Sequence, residues 1–211
     1  QVFVIENVKN LVSHDNGNTI KIIYDNLKNL GYFIKYEVLN TCKVTTLPQN
    51  RERVYIVGFL DSDKCEKFLF PKSEETNSNI SDLLESKVDE KYYYNDKFKC
   101  WPLVESSVIK DVSTNTIYQY RRTIVRENKS GLCPTLTANM GTGGHNVPII
   151  KDSIGIRKLT PLECFRFQGF PANYNLSNLT DSALYKLAGN AVSTPVIKKL
   201  QKRLFLYFYY L

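Results

Sequence analysis

The sequence predicts an α/β protein in which a small, mostly β unit interrupts the sheet-forming chain. Three observations carry this. Strand and helix patterns alternate over the first seventy residues. After Pro71 the composition turns polar and sustained periodicity is lost. Helical character then returns at "IRKLTPLECFRFQGFP" and again toward the C-terminus.

The elements follow in order. Val2–Ile5 is short, apolar and rich in β-branched residues, as expected of a strand buried on both faces of a parallel sheet, with Glu6 at its end. Ile20, Ile23, Tyr24, Leu27 and Leu30 recur at helical spacing, and Gly31 stands where a helix would stop. "YFIKYEVLN" alternates as a strand does, and "VYIVGFL" reads as a further buried strand. Residues 1–72 are therefore expected to form a first domain, and residues 73–156 a second, built of short strands and loops. Residues 157–188 are expected to join the two, and 189–211 to return to the first domain as a terminal helix. In the joining stretch Thr160 suits an N-cap, Pro161 the first helical position and Glu163 a capping box, with the helix ending before Gly169. The last helix should cover about Thr194 to Tyr209, with its apolar "LFLYFYYL" end packed.

Bulk properties narrow the function classes. With 211 residues and 43% hydrophobic content there is enough apolar material for one or two cores. No apolar run approaches the ~18 residues of a membrane-spanning helix, and no signal-peptide pattern opens the chain. Five cysteines with no CxxC spacing fit a reducing compartment, so a cytoplasmic setting is expected. His14 and His145 are the only histidines and neither neighbours a cysteine cluster, so no metal site is expected. The net charge of +7 makes nucleic acid a reasonable partner. Met140 is the only methionine, so Gln1 is not expected to be the translation start.

Four stretches carry candidate chemistry. A carboxylate at the carboxyl end of a strand, as Glu6 is placed, can face a ligand crevice and share a proton with a ring nitrogen; capping the next helix is the other reading. In "LPQNRERVYIVGF", Arg51 and Arg53 alternate, so on one strand both would face the same way and suit phosphate or carbonyl oxygens; a surface pair is the other reading. "QYRRTIVRENKSGLCPTLTANMGTGGHNVPII" gathers Arg121, Arg122, Arg126 and Lys129 with a Thr-rich turn and the glycines Gly141, Gly143 and Gly144. That combination suits base edges and phosphates, or else a solvated hairpin. "LAGNAVSTPVIKKL" offers a small-residue turn before a helix, where free N–H groups and Asn190 could hold a polar cofactor or simply cap the helix.

The order of these stretches is more specific than any one of them. "ENV", "QNRERVYIVGF", a variable stretch, "RKLTPLECFRFQGFP" and "AGNAV" with its helix resemble the C-terminal half of the bacterial cytosine-5 DNA methyltransferases, across essentially the whole chain. The resemblance implies part of a Rossmann-like, S-adenosylmethionine-dependent methyltransferase sheet carrying an inserted target recognition domain. It also implies double-stranded DNA as partner, a flipped cytosine as substrate and a restriction–modification setting. Glu6 would contact the cytosine N3 and exocyclic amine, and Arg51 and Arg53 would sit in the active site. Thr135–Leu136 would be the recognition domain's Thr-Leu pair. Arg157, Glu163 and Arg166 would be structural ion-pairing groups, and Asn190 and Val192 would line the cofactor pocket. Ala191 stands where the family usually has Ser. The "RENKSGLCPTLTANMGTGGHNVP" stretch resembles recognition regions for GGCC-like sites. The family's nucleophile is the cysteine of a Pro-Cys pair upstream of ENV, whereas this chain has only the reverse order, Cys133–Pro134. The thiol is therefore expected from an N-terminal half on the same or a separate chain, and this chain alone is expected not to methylate DNA. A non-catalytic DNA-binding subunit of a split methyltransferase is the alternative reading.

Overall fold

The structure, a computed structural model, describes residues 1–73, 79–108 and 113–209. Parts of the polar stretch (74–78 and 109–112) and the last two residues of the apolar tail lie outside the described residues. In chain order the elements are β1 (Val2–Val8), α1 (Asn18–Asn29), β2 (Phe33–Asn40), α2 (Thr41–Val44), β3 (Gln49–Asn50), β4 (Glu52–Phe59), α3 (Ser62–Lys67) and α4 (Trp101–Ser107). They continue with β5 (Ser113–Arg121), β6 (Ile124–Glu127), β7 (Cys133–Pro134), β8 (Val147–Lys151), β9 (Ile156–Lys158), α5 (Pro161–Phe167), α6 (Asp181–Asn190) and α7 (Thr194–Tyr209). Among the described residues no helix is long and apolar enough to cross a membrane. The chain forms two compact units. The first gathers residues 1–45, 52–73 and 195–209; the second gathers 46–51 and the described residues from 79 to 194.

The first unit is built on a three-stranded sheet of order β1-β4-β2. Both outer strands run antiparallel to β4, which corrects the expectation that Val2–Ile5 lies in a parallel arrangement. An apolar, β-branched run shows that a segment is a strand but not which way its neighbour runs. The strand also extends past Glu6 to Val8, so Glu6 lies inside it. Nor is β1 fully buried, since Val4 and Ile5 are each 38% exposed. The strand buried on both faces is β4. Val54 and Ile56 pack with Ile20 and Ile34 on one side. Tyr55, Val57 and Phe59 pack with Leu39, Val44 and the α7 residues Val196 and Leu200 on the other. Gly58 lets the strand accept Phe3, whose ring lies 2.3 Å from where a Cβ would stand. Helix α1 ends as its sequence suggests. Gly31 takes φ +86°, and the amide of Tyr32 returns to the carbonyl of Leu27 at 3.1 Å. In α7 burial concentrates at Val196 and Leu200, one turn apart, while Phe205 and Leu206 are about half exposed.

The second unit holds a four-stranded antiparallel sheet of order β6-β5-β8-β9 and a short parallel pairing of β3 with β7. Helix α4, hidden by polar surroundings, buries Val104. Residues 157–188, expected as a join, lie within this unit, and α5 and α6 complete its core through Cys164, Phe165, Phe167, Leu184, Tyr185 and Ala188. The cap of α5 is reciprocal. The Glu163 amide donates to Thr160 Oγ1 at 3.1 Å, and the Thr160 amide donates to Glu163 Oε2 at 2.8 Å. Helix α6 changes the reading of "AGNAV". Ala188–Asn190 close α6 rather than preceding a helix, and α7 begins only at Thr194. The turn therefore presents helix-end carbonyls instead of free N–H groups. Gly189 allows this packing, because a Cβ there would lie 2.3 Å from the backbone at Thr137 and Ala138.

Candidate active site and nucleic-acid face

Sheet register brings Glu6 and Arg53 together. Val8 pairs with Arg53 and Glu6 with Tyr55, so Glu6 and Arg53 are diagonal neighbours on one face of the β1–β4 ribbon. Arg53 Nε lies 3.2 Å from Glu6 Oε1, and both side chains are more than four-fifths buried. The same oxygen is buried without a hydrogen bond, since the contact has ion-pair distance but not hydrogen-bond alignment. Arg53 Nη1 donates to the Glu52 carbonyl at 2.7 Å. Burial pushes Arg53 below its ordinary value, opposed by the Glu6 carboxylate. The result is a carboxylate held in place, partly out of water, with spare accepting capacity.

Arg51 does not share that arrangement. It falls outside β4 and belongs to the second unit, which corrects the expectation that one strand aims both guanidiniums the same way. It is 2% exposed. Its Nη1 donates to the Leu136 carbonyl at 3.2 Å, and its Nη2 to the carbonyls of Gly189 and Ala191 at 3.3 and 2.7 Å. Arg51 thus ties the segment after β7 to the closing turn of α6. Leu136 itself is buried in the core and contributes its carbonyl. Thr135 Oγ1 donates to the Asn50 carbonyl at 2.7 Å. Asn190 and Val192 are exposed on either side of the clamped Ala191.

The candidate DNA readers separate as well. Arg121 lines a polar pocket of about 310 Å³ together with Gln119, Arg126, Asn128, Thr135 and Thr137, among others. Arg122, with φ +48°, instead places Nη2 2.9 Å from His145 Nε2. Gly143 takes φ +74° at the end of a short 3-10 turn, and Gly144 lies against the Arg122 stem.

These arrangements can be set beside known proteins. The profile of the C-5 cytosine-specific DNA methylases matches residues 1–206. The chain belongs to this family. It is 51% identical over 208 residues to the type II methyltransferase M.Bsp6I of Bacillus sp. (strain RFL6), covering 97% of this chain and 65% of that relative. To M.HaeII of Haemophilus aegyptius it is 41% identical over 202 residues, covering 95% and 59%. The chain thus spans less than two thirds of the length of these two relatives. Among solved structures, the Entamoeba histolytica methyltransferase EhMeth superposes with a TM-score of 0.70 at 23% identity, covering 97% of this chain and 62% of that one. S. pombe Dnmt2 gives 0.65 at 19%, covering 97% and 66%. These likenesses show the fold, an α/β Rossmann-like methyltransferase fold with an inserted β-rich region. The similarities reach the family and not a particular target site.

Burial pushes the thiols of Cys42, Cys65, Cys133 and Cys164 above their ordinary values, most strongly the fully buried Cys133 and Cys164. A thiol held protonated in apolar surroundings is inert, since the thiolate is the attacking form. Cys133, the one beside a proline, packs inside the core. Among the described residues no group of three or more His, Cys, Asp or Glu is arranged to hold a metal.

In the family's Arg157–Pro171 motif, Arg157 is 1% exposed and meets Glu163 through both terminal nitrogens at 2.8 Å. Its Nε reaches Asp152 at 2.7 Å, a partner the sequence reading missed because it lies outside the motif. Arg166 differs from the expected ion-pairing group. Its terminal nitrogens lie 3.4 Å from the carbonyls of Leu83 and Ala172. Gln119 was also missed, although its spacing of two from Arg121 on a strand was the available signal.

Proposed function

We propose that this chain is the cytosine-holding and target-recognising part of a DNA (cytosine-5) methyltransferase, which methylates C5 of a cytosine flipped out of duplex DNA. The observation that carries the reading is Glu6, a buried carboxylate fixed by Arg53 whose Oε1 has no hydrogen bond in the structure. C5 of cytosine is a poor nucleophile until a thiolate adds to C6, and the charge that then develops on the ring must be met at N3. A carboxylic acid at Glu6 can donate there, and its second oxygen can accept from the exocyclic amine. Arg53 orients Glu6 and keeps its charge compensated. Arg51 acts as a positioning residue, holding the turn that displays Asn190 and Val192. Those two exposed side chains on a fixed backbone fit one wall of a pocket for S-adenosylmethionine, which supplies an electrophilic methyl group when bound. Ala191 offers no hydroxyl, and its carbonyl is taken by Arg51.

The attacking thiolate is assigned to a Pro-Cys segment in the N-terminal half of the enzyme, on the same or a separate chain. The target is assigned to a duplex site containing G·C pairs.

The test mixes this chain with an N-terminal half carrying the Pro-Cys segment and measures methyl transfer to cytosine-containing duplex. Transfer is expected with the wild-type pair. Glu6→Gln should lower the rate about 10²–10⁴-fold, the usual weight of a positioned acid. Absence of transfer in every pairing would remove the enzyme reading. Sequence-selective duplex retention under those same conditions would then identify a DNA-binding subunit of a split methyltransferase.

A further inference from the structure

The polar pocket of the second unit has an internal order. Gln119 and Arg121 are two residues apart on β5, so they leave the same face of the sheet, and β6 sets Arg126 directly opposite Gln119. Gln119 is only 8% exposed, and its Oε1 accepts from Arg121 Nη2 at 3.2 Å. Arg121 Nε and Thr137 Oγ1 are both buried without a hydrogen-bond partner on the walls of this one pocket. Arg126 is exposed, and Arg122 is drawn to His145. Of the three arginines, then, only Arg121 is held by a buried side chain. Asparagines 50, 128 and 146 complete a lining with a single carboxylate, Glu127, which suits an acceptor-rich ligand.

We infer that Arg121 reads a guanine in this pocket and that Gln119 is a positioning residue that fixes the plane of its guanidinium. The inference rests on the DNA reading proposed above. Guanine presents O6 and N7 as two acceptors on its major-groove edge, and a guanidinium meets both with parallel donors. By accepting a hydrogen bond from Nη2, Gln119 restrains the rotation of the fork before DNA arrives, so less conformational entropy is lost on binding. A phosphate could also sit against Arg121, but it would carry no base preference.

The test selects duplexes from a random library with the 211-residue chain, then measures affinity for the selected and a scrambled duplex across salt concentrations. Arg121→Lys keeps the charge and loses the fork. It should lose preference at one G·C position by roughly 10–100-fold while binding scrambled duplex nearly as before. Gln119→Met should lose preference at that same position, and Gln119→Glu, which retains the acceptor, should keep it. Unfolding midpoints of these variants, and of Arg121→Gln below, confirm that the comparison is between folded proteins. Unchanged preference in both Arg121→Lys and Gln119→Met would overturn the inference while leaving DNA recognition standing. So would an equal loss on all duplexes with a shallower salt slope in a variant removing the charge, Arg121→Gln, since that marks a phosphate contact. If the wild-type chain retains no duplex at all, the DNA reading falls and this inference falls with it.

Discussion

At Arg157 the second unit buries a full positive charge and surrounds it with Glu163 and Asp152. Burial lowers its pKa, but the hydrogen bonds and charges of the two carboxylates outweigh that and hold it above the ordinary arginine value. Burial alone would raise Asp152. The Arg157 bond, the amides of Gly155 and Ile154 and the Tyr93 hydroxyl reverse that and hold it below the ordinary carboxylate value. Asp152 therefore adds stability that is present above its unfolded pKa of ~3.9 and lost as pH falls through the lower folded value. Denaturant midpoints should fall on acidification in the wild type, and by less in Asp152→Asn, which lacks this contribution. At Arg51, Arg51→Met leaves three carbonyls, two of them in buried contacts, without this donor and should cost roughly 2–4 kcal/mol, measurable by urea unfolding. Glu6, Arg51 and Arg53 could all be picked out in the sequence from their types and order. Which of them meet could not, because the Glu6–Arg53 contact depends on the Val8–Arg53 register and the Arg51 contacts on carbonyls many residues away.

At the level of elements, local signals were strongest where the interactions themselves are local. The capping box of Thr160 and Glu163 spans three residues and stands in the structure as the sequence indicates. Thr160→Ala should cost about 1 kcal/mol, seen as a lower thermal midpoint. The Gly31 stop of α1 is equally local. Helix α6 was missed because small residues at its end look like a turn; its continuation to Asn190 is held by core burial of Leu184, Tyr185 and Ala188. Gly189 serves here for close approach, and the obstacle to a side chain is backbone, which cannot swing aside. Gly189→Ala should therefore destabilise by about 1–3 kcal/mol. It should also disturb the Arg51 clamp, giving faster amide exchange at Ala191 and Val192.

Across the whole molecule, the first unit is assembled from three separated stretches of chain, with α7 supplying Val196 and Leu200 to the face of the sheet that carries Tyr55, Val57 and Phe59. Leu200→Ala should cost about 2–5 kcal/mol and lower exchange protection along β4. The sequence by itself determined the alternation of strands and helices in the first stretch, the β-rich insertion, the capped helix after it, the terminal helix and the family, because these rest on residue type and spacing along the chain. Only the tertiary structure decided that β4 runs against both its neighbours. It likewise decided that Arg51 and Arg53 serve different units, that "AGNAV" ends a helix, and that Arg121 lines one pocket with Thr137. Those outcomes depend on which distant backbone is brought alongside, and residue pattern carries no direct record of a partner many residues away.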